Sequence, residues 1–250
     1  MQQKLTRADK SHLSYIHIPG KKKLCILYLH GFLSSQQGKR AEAIRSCAKE
    51  LGAHYLSLDY TGCGASSGTP ADFRVGRCLA DAADVVKHAA PGLPLLIVGH
   101  SLGGYIAFLL SERLPERVRG VLSLAPGIDG MDYIWRRWIP WYGKVLLRCG
   151  KVLGPNQRTR GYCFSYPMFK EAAPYRLLGR RVRYDGDVVV MCGDKDRLVS
   201  WRHAFGIKDS LTSERVKCCL IKGGEHRLGT PEHLQAMQQA IAAMYRRIMP

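Results

Sequence analysis

This chain of 250 residues predicts an α/β fold: a mostly parallel central sheet with helices on both faces. Three observations carry that reading. Short apolar runs alternate with stretches of helical periodicity along most of the chain. A Gly-x-Ser-x-Gly sequence, Gly99-His100-Ser101-Leu102-Gly103, lies directly between one such run and one such stretch. An acid and a histidine then follow, each just after a later apolar run.

Taken in order, the spacing predicts a strand over Leu24–His30, a helix over Arg40–Leu51 and a strand over His54–Tyr60. Phe73–Ala89 reads as a helix, with Val75, Leu79, Ala82 and Val85-Val86 as its apolar stripe. Leu95–Val98 is a short, fully apolar strand, Leu102–Leu114 a helix and Gly120–Ala125 the next strand. Asp187–Cys192 and Val216–Ile221 read as strands, and Pro231–Met249 as a closing helix with Thr230 as its cap. Between the strands Gly120–Ala125 and Asp187–Cys192, residues 127–184 break the alternation. They read as an irregular stretch rich in aromatic and basic residues, punctuated by Gly and Pro. A single domain over residues 1–250 with an inserted cap at about 127–184 is therefore expected.

Composition narrows the function classes. Apolar residues at 46% and charged ones at 23% are ordinary for a globular protein. No run reaches the roughly 18 apolar residues of a membrane span. Lys4, Arg7 and Lys10 are not followed by the apolar stretch of a signal peptide, so a cytoplasmic location is expected. The nine cysteines lack Cys-x-x-Cys spacing and several sit in apolar runs, which favours buried thiols over a metal site or a disulfide framework. The net charge of +18 is unusual, and half of it is concentrated in residues 127–184, where twelve Lys and Arg face three acids. There Trp135, Trp138, Trp141 and Tyr142 are interleaved with Arg136 and Arg137. This pattern suits an apolar tunnel with a basic rim that attracts anionic membranes or acidic leaving groups. No nucleic-acid module accompanies it, so no nucleic-acid partner is expected.

The chemistry centres on Ser101. A serine hydroxyl is a weak nucleophile until a base removes its proton. A sharp strand-to-helix turn exposes its Oγ, and glycines at Gly99 and Gly103 leave room for that turn. The strand ending at Cys192 leads into Gly193-Asp194-Lys195-Asp196, which offers the acid. The next strand leads into Gly223-Gly224-Glu225-His226, which offers the base. His203 and His233 lie on expected helices and are poorer candidates. Two backbone donors are needed for the oxyanion of acyl transfer: Leu102 N–H, next after the nucleophile, and Phe32 N–H in the loop after the first core strand. Each such donor contributes about 3–4 kcal/mol. No metal or organic cofactor is required by this chemistry. Asp59-Tyr60-Thr61-Gly62-Cys63-Gly64 lacks the spacing of a phosphate-binding loop and reads as a tight turn.

These motifs resemble the α/β-hydrolase superfamily, and more narrowly its mitochondrial palmitoyl-protein thioesterase and acyl-glucuronide esterase branch. The resemblance rests on Gly31-Phe32-Leu33-Ser34-Ser35, Asp59 to Gly64, Gly99 to Gly104, Tyr166-x-x-Phe169-Lys170-Glu171-Ala172, Gly193-x-x-Asp196-x-Leu198-Val199 and Glu225-His226-Arg227. It implies a triad of Ser101, Asp196 and His226, with Asp196 rather than Asp194 as the acid, and oxyanion donors at Phe32 and Leu102. It also implies an acyl ester or thioester substrate, an S-acylated protein among the candidates, and the mitochondrion as the alternative location. A generic carboxylesterase or lipase with the same triad is the first rival. A non-catalytic membrane-binding or interaction module on the same fold is the second.

Overall fold

The computed structural model describes residues 1–155 and 162–249. Arg158 and Arg160, part of the basic excess counted above, lie outside the described residues. Eight strands form one sheet in the order β1-β2-β4-β3-β5-β6-β7-β8. Strands β3 (Cys25–Leu29), β4 (His54–Leu58), β5 (Leu95–His100), β6 (Val118–Leu124), β7 (Asp187–Gly193) and β8 (Val216–Ile221) run parallel. Every residue of β3, β5 and β7 is buried, as expected where helices cover both faces of a sheet.

The strand residues sort by parity. Ile26 and Tyr28 of β3, with Leu96 and Val98 of β5, face a layer built by α1 (Lys39–Leu51) and α8 (Pro231–Ile248). Cys25, Leu27 and Leu29, with Leu95 and Ile97, face α2 (Val75–Ala89) and α3 (Leu102–Arg113). Thr230 caps α8 through its hydroxyl, which accepts from the His233 N–H.

Two features differ from the expectation. First, an antiparallel pair, β1 (Gln2–Thr6) and β2 (His12–Ile18), extends the sheet beyond β4. Its outer strand, Gln-Gln-Lys-Leu-Thr, is polar and exposed, so it carries no apolar periodicity; a sheet edge has no second neighbour to demand one. Second, the described residues between β6 and β7 include helices where an irregular stretch was expected. They form α4 (Gly130–Arg137), α5 (Trp141–Arg148) and α6 (Tyr166–Lys170), pieces too short to show a sustained helical period. A short helix α7 (Trp201–Phe205) follows the loop after β7 and carries His203, where a helix was expected.

The α4–α6 segment is pinned at its base by named contacts. Both carboxylate oxygens of Asp129 accept backbone N–H groups, from Leu177 (2.9 Å) and Leu178 (3.1 Å). His203 on α7 bonds the Ile128 carbonyl at 2.7 Å, and Arg176 clasps Asp132 through two bonds. All nine cysteines are unpaired. Five are buried, whereas Cys149 is exposed and Cys163, Cys218 and Cys219 are half-buried. Among the described residues, no helix is long and apolar enough to cross a membrane.

Candidate active site

Ser101 sits on the turn from β5 into α3 with φ 53° and ψ −114°, a conformation L-residues seldom adopt. The turn is this tight because β5 and α3 almost touch. A Cβ on Gly99 would run into the Gly103 carbonyl, and a Cβ on Gly103 into the Leu29 carbonyl on β3. Strain at Ser101 is thus over-determined by the packing around it, which is the usual condition for such a conformation to persist.

The loops after β7 and β8 bring the partners. His226 Nε2 lies 3.0 Å from Ser101 Oγ, and His226 Nδ1 lies 2.8 Å from Asp196 Oδ2. The Asp196 carboxylate is fully buried. Its second oxygen accepts the N–H groups of Leu198 (2.8 Å) and Val199 (2.9 Å), so its orientation is fixed from both sides. Asp194, the other acid of that loop, has a different task. It accepts the Gly223 N–H at 2.7 Å and ties the loop after β7 to the loop that carries His226. His203 bonds the Ile128 carbonyl and His233 lies on α8, so His226 is the histidine at the serine.

Two further histidines shape the site, and residue type alone gave no sign of it. His30 is fully buried. Its Nδ1–H donates to the Gly31 carbonyl at 2.8 Å, and its Nε2 accepts from the Tyr60 N–H. The Gly31 C=O and Phe32 N–H belong to one planar trans peptide and point in opposite directions. With the carbonyl turned into His30, the Phe32 N–H is turned the other way. His100 bonds the His226 carbonyl at 2.9 Å through Nε2, and its ring lies 5.2 Å from the His226 ring. Leu102 is the first residue of α3, a helix with no side-chain cap, so its N–H is among those with no partner inside the helix.

Burial pushes both His30 and His100 below the ordinary imidazole range, His100 strongly, with the charges of Arg40, His226 and Arg227 adding to the effect there. The folded protein therefore takes up fewer protons at these rings than the unfolded chain does. Stability is fully present above the unfolded value of about 6.5 and falls as pH drops below it, by up to about 1.4 kcal/mol per pH unit for each ring. Urea midpoints should thus fall steadily from about pH 7.5 to pH 5.5, and more shallowly in His100→Gln. Equal midpoints across that range would contradict the neutral assignment.

Two clefts meet at Ser101. One, of about 620 Å³ counting its open mouth, is chiefly apolar, lined by Phe32, Leu102, Met131, Ile134, Trp138 and Tyr162 among others. The other opens past His100 and His226 along Lys39, Arg40 and Arg227. Phe32 and Leu102 line the same cleft as the serine. The pocket walls from α4 and Tyr162 were not singled out from the sequence, because their role depends on how the segment after β6 folds back.

Comparison with known proteins agrees with this architecture. The family model described as the alpha/beta hydrolase fold matches residues 25–154, just over half of the chain. The mitochondrial palmitoyl-protein thioesterase ABHD10 of Rattus norvegicus is 29% identical over 226 residues, covering 90% of this chain and 75% of that protein. The Homo sapiens protein of the same name is 27% identical over 239 residues, covering 95% and 78%. Among solved structures, the alpha/beta hydrolase domain-containing protein 10 from mouse superposes with a TM-score of 0.90 at 25% identity, covering 99% of each chain. A polar edge hairpin, a buried parallel sheet and a strained serine between β5 and α3 thus sit in a known frame: this chain belongs to the α/β-hydrolase fold family and is a hydrolase.

Proposed function

We propose that the chain is a serine esterase or thioesterase of the palmitoyl-protein thioesterase kind, with Ser101 as nucleophile, His226 as base and Asp196 as the acid that orients it. The observation that carries the proposal is the continuous relay from Ser101 Oγ through His226 to a buried Asp196, at 3.0 and 2.8 Å, opening onto an apolar pocket. His226 Nε2 accepts the Ser101 proton as Oγ attacks the acyl carbonyl. Asp196 holds the Nδ1 proton and stabilises the imidazolium, while the Phe32 and Leu102 N–H groups receive the oxyanion. His226 then gives its proton to the departing alcohol or thiol, leaving an acyl-Ser101 ester. Water, deprotonated by the same imidazole, releases the carboxylic acid and restores the serine.

In this reading residues 127–184 form a cap whose α4 walls the acyl-binding side, and the cleft along Arg40 and Arg227 takes the leaving group. The named relatives favour the mitochondrion over the cytoplasm expected from the N-terminus.

A fluorophosphonate probe followed by assays on an acyl-ester chain-length series and an S-palmitoylated peptide tests the proposal. Labelling at Ser101 with release of palmitate from the peptide is expected. Labelling with turnover confined to short esters would mark a generic carboxylesterase, and absence of labelling would mark a non-catalytic module.

A further inference from the structure

Solvent-facing apolar side chains are distributed unevenly over this molecule. Of the nine large apolar residues exposed among the described residues, six lie within the twenty residues from Tyr133 to Val152. The same twenty residues hold five cations (Arg136, Arg137, Lys144, Arg148 and Lys151) and no acid. None of the five forms an ion pair with a described carboxylate, whereas Arg176 and Arg180, farther along the same segment, each clasp one.

Helix α5 shows the pattern most clearly. At about 100° per residue, Trp141 and Val145 share one stripe, and Leu146 lies about 100° round the helix from Val145. These side chains point outward, with 78%, 49% and 43% of their surface exposed, and Val152 just beyond the helix keeps 50%. Gly143 and Leu147, on the opposite side, are the residues that bury against the protein. Lys144 and Arg148 flank the outward stripe and lie over the Trp135 ring, at 5.7 and 5.4 Å from its centre. Leaving this apolar surface in water is unfavourable relative to covering it. Nothing in the described protein covers it.

We infer that the α4–α5 face docks on an anionic lipid surface, with Trp141, Val145, Leu146 and Val152 entering the headgroup boundary and the surrounding Arg and Lys meeting the lipid charge. The charge decides between occupants. A twofold contact with a second copy would set each copy's acid-free cationic patch against the other's. Aliphatic groups ringed by cations, with a tryptophan at the rim, match instead the apolar-under-anionic layering of a membrane interface. The placement is consistent with the site, because α4 also supplies Met131 and Ile134 to the pocket beside Ser101. It does not depend on which residue is the nucleophile.

The test is co-sedimentation with vesicles of phosphatidylcholine alone and with about one-third phosphatidylglycerol. The protein is expected to pellet with the anionic vesicles and to be released as salt is raised toward about 1 M. Trp141→Ser with Leu146→Ser should weaken partitioning about tenfold or more, as should Arg137→Glu with Lys151→Glu. Hydrolysis of a soluble short-chain ester should be unchanged in both pairs, which shows that they are folded. Binding should also shift tryptophan emission to the blue, and Trp141→Phe should remove that shift while the protein still pellets. Equal pelleting with neutral vesicles, or pelleting indifferent to both pairs, would overturn the inference. So would self-association that Trp141→Ser abolishes in a protein that binds no vesicle, since that would make a second copy the occupant.

Discussion

Ser101→Ala should lower the turnover of an acyl ester by about 10⁶-fold, and His226→Ala by a similar factor. The two losses should not add, because each half of the relay is useless without the other. Asp196→Asn is the more informative variant. Asp196 Oδ1 is held by the N–H groups of Leu198 and Val199, so the amide oxygen of Asn would stay on that side and its NH₂ would face His226. A donor at Nδ1 forces the imidazole proton onto Nε2, and an Nε2–H cannot accept from Ser101. A loss of about 10⁴-fold is expected, with the fold intact. Steady-state rates on one soluble ester, beside urea midpoints, check all three. An Asp196→Asn enzyme within tenfold of the parent would remove Asp196 from the relay, and Asp194→Asn would then be the variant to compare.

The parts of the sheet that lie deepest were the most legible in the sequence. Strands β3, β5 and β7 are buried on both faces, so their residues are small or apolar apart from His100 and Asp187 at strand ends, and the runs stand out. The β1–β2 hairpin sits at an edge, and α4 to α6 are short, so neither is constrained in the same way. The site divides along a similar line. Ser101 and the loop carrying Asp196 could be placed because each follows a buried strand, and the loop carrying His226 because β8, although only half-buried, still reads as an apolar run. The choice between Asp194 and Asp196 depended on spacing shared with relatives, and the geometry adds a reason: Asp194 is committed to the Gly223 N–H. His30 and His100 were not legible as site residues. A histidine's letter does not say whether it is buried or what its two nitrogens touch, and here His30 decides how the Gly31–Phe32 peptide is turned while His100 holds the His226 carbonyl.

Gly103→Ala should be among the most damaging single substitutions outside the relay, although it replaces glycine inside a helix. On helix propensity alone the change favours α3 by about 1 kcal/mol. The new methyl group, however, would meet the Leu29 carbonyl and the His30 carbonyl, both backbone atoms at the end of β3. Side-chain overpacking, which neighbours relieve by changing rotamer, already costs about 1–3 kcal/mol. A backbone obstacle has no rotamer to change, so α3 and β3 must separate, and the cost should lie at the top of that range or above it. The separation would also move Leu102 away from Phe32, so turnover should fall along with stability. Gly130→Ala is the matched control. It lies at the start of α4 with nothing near the new methyl group, and it should leave the urea midpoint close to the parent's. If Gly103→Ala were as stable as Gly130→Ala and as active as the parent, the close approach of α3 to β3 could not be what holds Ser101 in its strained turn.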